Sequence, residues 1–283
     1  MKNLFNIKEM RWDEELCQIF NIPMKMLPTV RPSAYDYGAL DFLKSKIRVT
    51  GVIGDQQAAL FGQTCFNSGD TKNTYGTGCF MLMNTGDKPT YSKNGLLSTV
   101  AWQIGDEVTY ALEGSVFIGG AVIQWLRDGL KIINSASESE NLALSCEDSN
   151  GIYIVPAFTG LGTPYWDDDA RGAVFGLTRS SSNAQFVRAS LEAIAYQCKD
   201  VFEVMKKETN LPLKELRVDG GATANKYLMQ FQSDILGSKI MLPCCLETTS
   251  LGAAYLAGLY SGFFKNLDEI KRIHCYQAIF SPS

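Results

Sequence analysis

The sequence predicts an α/β domain built on a mixed sheet flanked by helices, and three observations carry that prediction. Leu97-Ser98-Thr99-Val100-Ala101-Trp102-Gln103-Ile104 and Val108-Thr109-Tyr110-Ala111-Leu112 are β-rich runs separated by Gly105-Asp106-Glu107, the spacing of an antiparallel hairpin. Further along, helical and strand patterns alternate: a capping box at Ser182 and Gln185, a long apolar helical stripe, then a strand at 216–219 that breaks into Gly220-Gly221. Hydrophobic residues at 46% and charged residues at 20% lie near the averages for globular domains, so a packed core is expected.

Taken in order, residues 12–20 read as one short helix, and Pro23, Pro28 and Pro32 punctuate a loop that leads to a strand at 47–53. Asp55 follows that strand directly and is expected at its tip, unless it serves as a helix N-cap. Residues 70–85 alternate in strand fashion around the Gly-rich turn Gly76-Thr77-Gly78. A helix is expected over 121–130 and a short buried strand over 152–156. After Ser182, the apolar positions Phe186, Val187, Leu191, Ile194, Cys198, Val201, Phe202 and Met205 form the core face of a helix. Residues 225–236 read as a helix closed by Gly237, 239–243 as a strand, and Ser250 as the start of a small-residue helix.

Several function classes are excluded or weakened. A net charge of −4 gives no basic stripe for nucleic acid. No run approaches the roughly 20 apolar residues of a membrane helix, and the first residues lack a basic-then-apolar signal pattern. The 8 cysteines (17, 65, 79, 146, 198, 244, 245 and 275) are neither dense nor regularly spaced and read as reduced thiols packed as small hydrophobes. With His274 the only histidine, a Cys/His zinc site or a Ser-His-Asp triad has little to build on.

The chemistry-bearing residues are of another kind. A carboxylate held at the end of a rigid element suits a general base that reaches a substrate hydroxyl, and Asp55 is placed for it. Thr77 between two glycines fits a turn whose backbone approaches phosphates, with the hydroxyl as an added donor. Gly220-Gly221-Ala222 after a strand lets the backbone press against a flat ring, although in isolation it would be a mere turn. Gly119-Gly120 reads by itself as helix packing, and Phe80 as core.

Gly54-Asp55-Gln56-Gln57, Thr74-Tyr75-Gly76-Thr77-Gly78-Cys79-Phe80, Glu113-Gly114-Ser115-Val116-Phe117 leading to Gln124-Trp125-Leu126-Arg127-Asp128, and Asp219-Gly220-Gly221-Ala222 followed by Asn225 resemble the glycerol kinases. So does Gly160-Leu161-Gly162-Thr163-Pro164-Tyr165-Trp166 followed by Ala170-Arg171-Gly172. The run from Gly176-Leu177-Thr178-Arg179 to Glu192-Ala193-Ile194-Ala195-Tyr196-Gln197 is similar to the second signature of the wider FGGY carbohydrate kinases.

The resemblance implies an actin-like ATPase fold of the ribonuclease H-like type, in which two domains close on ATP. It implies that the first domain is largely missing here: residues 1–64 match its end, 65–262 the nucleotide-binding domain, and 263–283 a truncated tail. It further implies ATP-dependent phosphorylation of glycerol, with Asp55 as the base, Asp55 and Gln56 hydrogen-bonding the acceptor, and Phe80 against its carbon skeleton. Gly76 and Thr77 would meet the β- and γ-phosphates, Gly120 and Gln124 the nucleotide, and Gly221, Ala222 and Asn225 the adenosine. Mg2+ would ride on the ATP phosphates, with no metal ligand assigned in this chain. A cytoplasmic enzyme, homo-oligomeric in its full-length form, is the corresponding expectation. The alternatives are another sugar kinase of the same superfamily, against which Gln56-Gln57 argues; a nucleotide-binding module without catalysis, against which intact Asp55 and Gly76-Thr77-Gly78 argue while truncation argues for it; and a structural actin-like protein, which would not need an acidic base beside a pair of amides.

Overall fold

The computed structural model describes residues 4–41, 45–211, 213 and 215–283. Residues 1–3 and 42–44 of the segment read as the end of a first domain thus lie outside the described residues.

The chain opens with small elements. Strands β1 (Phe5–Asn6) and β2 (Arg11–Trp12) form an antiparallel pair, and helix α1 spans Glu14–Ile19. The helix begins later than the sequence suggests because Asp13 caps it, its carboxylate accepting from the Leu16 amide. Strands β3 (Ala39–Leu40) and β4 (Ile47–Arg48) pair next. The strand expected over 47–53 is therefore reduced to its first two residues. Residues 49–52 instead exchange irregular backbone hydrogen bonds with Ser33, Tyr35, Tyr37 and Gly38. At Gly51 a Cβ would stand 2.7 Å from the Ala253 carbonyl oxygen, so the segment is docked on a later helix and not paired in a ladder.

The strand expectation for Asp55 fails for the same reason. Gly54 is the N-cap of helix α2 (Asp55–Gly62), and Asp55 is its first helical residue, neither a strand tip nor the cap.

Then come strands β5 (Thr71–Tyr75), β6 (Cys79–Gly86), β7 (Leu97–Ile104) and β8 (Glu107–Val116). The predicted hairpin is β7–β8, turning at Gly105-Asp106, with Ile104 opposite Glu107. Helix α3 covers only Ala121–Gln124, and the expected helix continues as a π-helical turn over Trp125–Gly129. Helix α4 (Glu138–Leu144) was not expected. Strands β9 (Tyr153–Val155) and β10 (Ala173–Phe175) make a separate two-stranded sheet. β9 is not buried throughout: Tyr153 is exposed and only Ile154 points inward.

Helix α5 (Asn183–Thr209) carries the capping box as predicted, Ser182 and Gln185 each bonding the other's backbone. Strand β11 (Glu215–Asp219), helix α6 (Lys226–Leu236) and strand β12 (Lys239–Pro243) follow, and Gly237 closes α6 in the left-handed conformation. Helix α7 starts at Thr248, two residues before Ser250, and runs to Ser261; α8 (Leu267–Ile273) and strand β13 (Tyr276–Phe280) complete the chain.

The main sheet has 7 strands in the order β13-β12-β11-β5-β6-β8-β7. β5, β11 and β12 are parallel and the others antiparallel, so the sheet is mixed. One face is covered by α5 and α6 over a core that includes Met81, Met83, Leu112, Leu191, Val201 and Leu228. The other face carries α2 and α7 over Leu60, Phe61, Leu82, Trp102, Tyr255 and Leu256. α2 and α7 cross very closely: a Cβ on Gly252 would lie 1.9 Å from the Ala58 carbonyl oxygen. Only glycine permits that approach.

All 8 cysteines are free thiols. Cys17, Cys65, Cys79 and Cys198 are buried like small hydrophobes, but Cys244, Cys245 and Cys275 are exposed at the β12–β13 end, which corrects the uniform reading of the sequence.

Candidate functional site

The carboxyl ends of the parallel strands β5 and β11 point to the same region, where open α/β sheets bind ligands. β5 leaves the sheet through the turn Gly76-Thr77-Gly78 into β6, with Tyr75 opposite Cys79 and the Gly76 amide donating to the Gly78 carbonyl at 2.9 Å. The start of α3 docks on that turn. Gly119 and Ala121 donate to the Thr77 carbonyl, and Gly120 to the Gly76 carbonyl at 2.8 Å. β11 leaves beside it: Gly220 has φ +92°, and a Cβ there would stand 2.5 Å from the Tyr75 carbonyl oxygen. Three glycine-bearing turns are therefore in backbone contact.

They enclose one side of a cavity of about 410 Å³. Gly76, Thr77, Gly120, Gln124, Gly221, Ala222 and Asn225 all line it, so residues from three separate stretches of sequence converge. Its floor is apolar, formed by Ile123, Leu191, Ile194 and Leu228, and its rim includes Ser139 and Glu140. A Cβ built on Gly221 meets nothing within 4 Å, so this backbone faces open space. A flat aromatic base fits such a walled, apolar slot beside bare backbone. Asn225 is placed differently from the expectation. It is the N-cap of α6, where its side-chain oxygen accepts from the Leu228 amide and its Nδ2 donates to Ser139 Oγ at 3.2 Å. One amide hydrogen remains for a ligand.

Asp55, Gln56 and Phe80 do not line this cavity. They lie on the opposite face of the sheet, where α2 packs. Asp55 is exposed at the first turn of α2, and its Oδ1 accepts from the Gln56 amide at 2.8 Å. Phe80 is half-buried on β6 opposite Thr74, so the packing interior claims part of the ring and leaves part open. The Gly76-Thr77-Gly78 turn stands between this group and the cavity, because Thr74 and Phe80 flank it on one side and Gly76 and Thr77 line the cavity on the other.

Sequence reasoning missed the side chain that ties this group together. Lys72 of β5 is wholly buried, and its Nζ donates to Gln56 Oε1 at 2.6 Å, Thr74 Oγ1 at 2.8 Å and the Phe80 carbonyl at 3.2 Å. Burial pushes its ammonium down to about 8, while Asp219, Glu113 and Asp55 pull the other way. Asp219, next to β5 in register with Thr74, is itself buried and accepts from Gln63 Nε2 at 2.9 Å and Thr248 Oγ1 at 2.6 Å. Ser139 and Glu140 were missed as well. Their helix lies in a run of serines and acidic residues that reads as a loop.

Among the described residues no cluster of His, Cys, Asp and Glu side chains could hold a metal ion. No described helix is long and apolar enough to cross a membrane.

A mixed sheet of this order, with helices on both faces and a cavity at the carboxyl ends of β5 and β11, is the actin-like ATPase architecture. The chain belongs to the FGGY family of carbohydrate kinases: residues 71–260 match the C-terminal domain of that family and residues 1–62 its N-terminal domain. It is 57% identical over 272 residues to a glycerol kinase of Oceanobacillus iheyensis, covering 95% of this chain and 54% of the relative. A glycerol kinase of Clostridium botulinum is 56% identical over 282 residues, 99% of this chain and 57% of the relative. The chain thus spans just over half the length of the curated relatives it matches. The solved structure of Plasmodium falciparum glycerol kinase with ADP superposes with a TM-score of 0.92 at 40% identity, over 99% of this chain and 57% of that one. A xylulose kinase of Lactobacillus acidophilus shares the fold at 23% identity, with a TM-score of 0.83 over 99% of this chain and 58% of that one.

Proposed function

We propose that this chain is the nucleotide-binding half of an ATP-dependent glycerol kinase, producing sn-glycerol 3-phosphate from ATP and glycerol. The observation that carries the proposal is the convergence of Gly76, Thr77, Gly120, Gln124, Gly221, Ala222 and Asn225 on one cavity separated by a single Gly-rich turn from Asp55 and Gln56. The glycerol kinase relatives support the choice of acceptor.

In this reading the adenine lies over Gly221 and Ala222 on the apolar floor, with the remaining Asn225 amide hydrogen at its edge. The phosphates run toward Gly76 and Thr77. Transfer to an alcohol depends on holding the acceptor oxygen in line with the γ-phosphate and neutralising the developing charge. Asp55, exposed at the start of α2, accepts the hydroxyl proton; Gln56 hydrogen-bonds the acceptor, and Phe80 covers its carbons. For a small triol, hydrogen bonds supply the selectivity that apolar area cannot. Mg2+ bound to the nucleotide would neutralise phosphate charge; among the described residues there is no ligand cluster for it.

The 283 residues by themselves are expected to bind nucleotide weakly and to turn over no glycerol, because alignment in a cleft needs two walls. The whole protein is expected to be cytoplasmic and homo-oligomeric. A thermal-shift titration with Mg-ATP, then glycerol, then xylulose, followed by an ADP-release assay of the full-length protein, tests the proposal. ATP-dependent phosphorylation of xylulose in preference to glycerol would make it another kinase of the family, and no response to ATP would sink the reading.

A further inference from the structure

The first-turn amide of α2 and the β5–β6 hairpin are held together by one buried cation. We infer that Lys72 is a positioning residue that fixes the Gln56 side chain, and with it the Phe80 segment, to present a hydrogen-bond donor to the acceptor's hydroxyl next to the Asp55 carboxylate. The inference rests on reading Gln56 and Phe80 as acceptor-facing.

The geometry gives the reason. An ammonium has three hydrogens and no lone pair, and Lys72 Nζ has three acceptors around it: Gln56 Oε1, Thr74 Oγ1 and the Phe80 carbonyl. Only the oxygen of the Gln56 amide can face such a group. The amide nitrogen is therefore turned away from Lys72, and since Gln56 is half-exposed, its N–H groups are directed to the open side where Asp55 also stands. A free glutamine at a helix start would sample both amide orientations, and half of those would present a second acceptor beside the carboxylate. With Lys72 in place the pair is one donor and one acceptor, the complement of two neighbouring hydroxyls: one gives its proton to Asp55 and the other takes a hydrogen bond from Gln56.

The same ammonium also grips the Phe80 carbonyl, so the residues expected along the acceptor's carbons and at its hydroxyls share a fixed point although they come from different elements. Position 72 faces the same side as Leu82, its cross-strand partner in the α2/α7 core. An apolar residue there would avoid desolvating a charge, but could orient neither group.

The test uses steady-state kinetics of the full-length enzyme carrying this sequence, with glycerol and ATP varied separately, for wild type, Gln56→Ala, Lys72→Met and the double variant. Each single variant is expected to raise the KM for glycerol about five- to a hundred-fold, the cost of leaving one hydroxyl of the bound acceptor without its hydrogen bond. The KM for ATP should stay within about two-fold, and the double variant should fall well short of the product of the two single effects, since residues acting through one another are non-additive. Multiplying effects in the double variant, or equal rises in both KM values, would assign Lys72 to packing and overturn the inference. Gln56→Glu guards against a folding failure of Lys72→Met, because the ammonium keeps its partner. It is expected to stay as thermostable as wild type while losing glycerol affinity, its carboxylate having no N–H to offer; an unchanged KM for glycerol would also overturn the inference. A wild-type protein that phosphorylates no glycerol fails the functional reading before any variant is compared.

Discussion

The amide of Gly120 donates to the carbonyl oxygen of Gly76 at 2.8 Å, and a Cβ on Gly120 would stand 2.8 Å from that same oxygen. The start of α3 and the β5–β6 turn are thus in contact through backbone alone, and both line the cavity. Gly120 has φ −57°, so alanine is conformationally allowed there and the obstacle is purely steric. Gly120→Ala should cost about 1–3 kcal/mol of stability by forcing the turn aside, and weaken nucleotide binding as well. Gly221→Val is the contrasting case, since its side chain enters open space in the unliganded protein. Its melting temperature should match wild type, while the ATP-induced rise in melting temperature is lost. Equal melting losses in both variants would contradict the difference in their surroundings.

Asp55 makes its short contact with the Gln56 amide through Oδ1 alone, a contact asparagine can reproduce. On the proposed reading, Asp55→Asn therefore removes the proton acceptor with little change in local structure. Turnover of the full-length enzyme should fall about hundred- to ten-thousand-fold, the range for loss of a general base, with KM for ATP nearly unchanged. Activity within a few-fold of wild type would remove Asp55 from that role.

Protection should be uneven along the chain. Among the described residues between 4 and 53, the buried apolar side chains are Leu4, Cys17 and Ala34, and Ile19, Phe20 and Met26 are exposed. In α2, by contrast, Ala58, Ala59, Leu60 and Phe61 are all buried. Hydrogen exchange followed by mass spectrometry of this 283-residue chain should show amides of α1 exchanging at least about a hundred-fold faster than those of α2 and α5. Comparable protection in α1 and α5 would show cooperativity that the packing does not suggest.

The main sheet was legible where local chemistry and tertiary packing agree. Residues 97–112 announce a hairpin, Ser182 and Gln185 announce a helix start, and Gly237 announces a helix end. The cavity-lining glycines were singled out mainly through the family resemblance, since Gly119-Gly120 reads locally as helix packing and Gly220-Gly221 in isolation as a turn. Residues 49–53 misled because β-branched side chains favour extended backbone whether or not a partner strand exists, and here the partner is an irregular loop and α7. Lys72 was illegible for a different reason. Thr71-Lys72-Asn73-Thr74 looks like a solvated strand, yet β5 is the central strand and nearly all of it is buried, the Lys72 ammonium being satisfied by Gln56, Thr74 and Phe80 on one face while the Asn73 amide donates to Cys198 on the other. Such pairing across distant segments leaves no local trace.

The buried ammonium gives a final prediction with a defined sign. Lys72 ionises near 8 in the folded protein against an ordinary value of 10.5, because burial outweighs the attraction of Asp219, Glu113, Cys65 and Asp55 around it. Between those values the unfolded chain holds the proton and the folded one releases it, so the unfolded state binds more protons and stability rises with pH. The contribution is complete above about 10.5 and is lost as pH falls through 8; the 2.5-unit difference corresponds to about 3 kcal/mol. Cysteines and tyrosines titrate in the same window, so wild type has to be compared with Lys72→Met, in which their contributions largely cancel. Urea midpoints measured from pH 7 to 10 should show wild type gaining stability relative to Lys72→Met as pH rises, most steeply above pH 8. A difference between the two proteins that stays flat, or shrinks, would mean that position 72 is hydrated and that its charge is not carried in the interior.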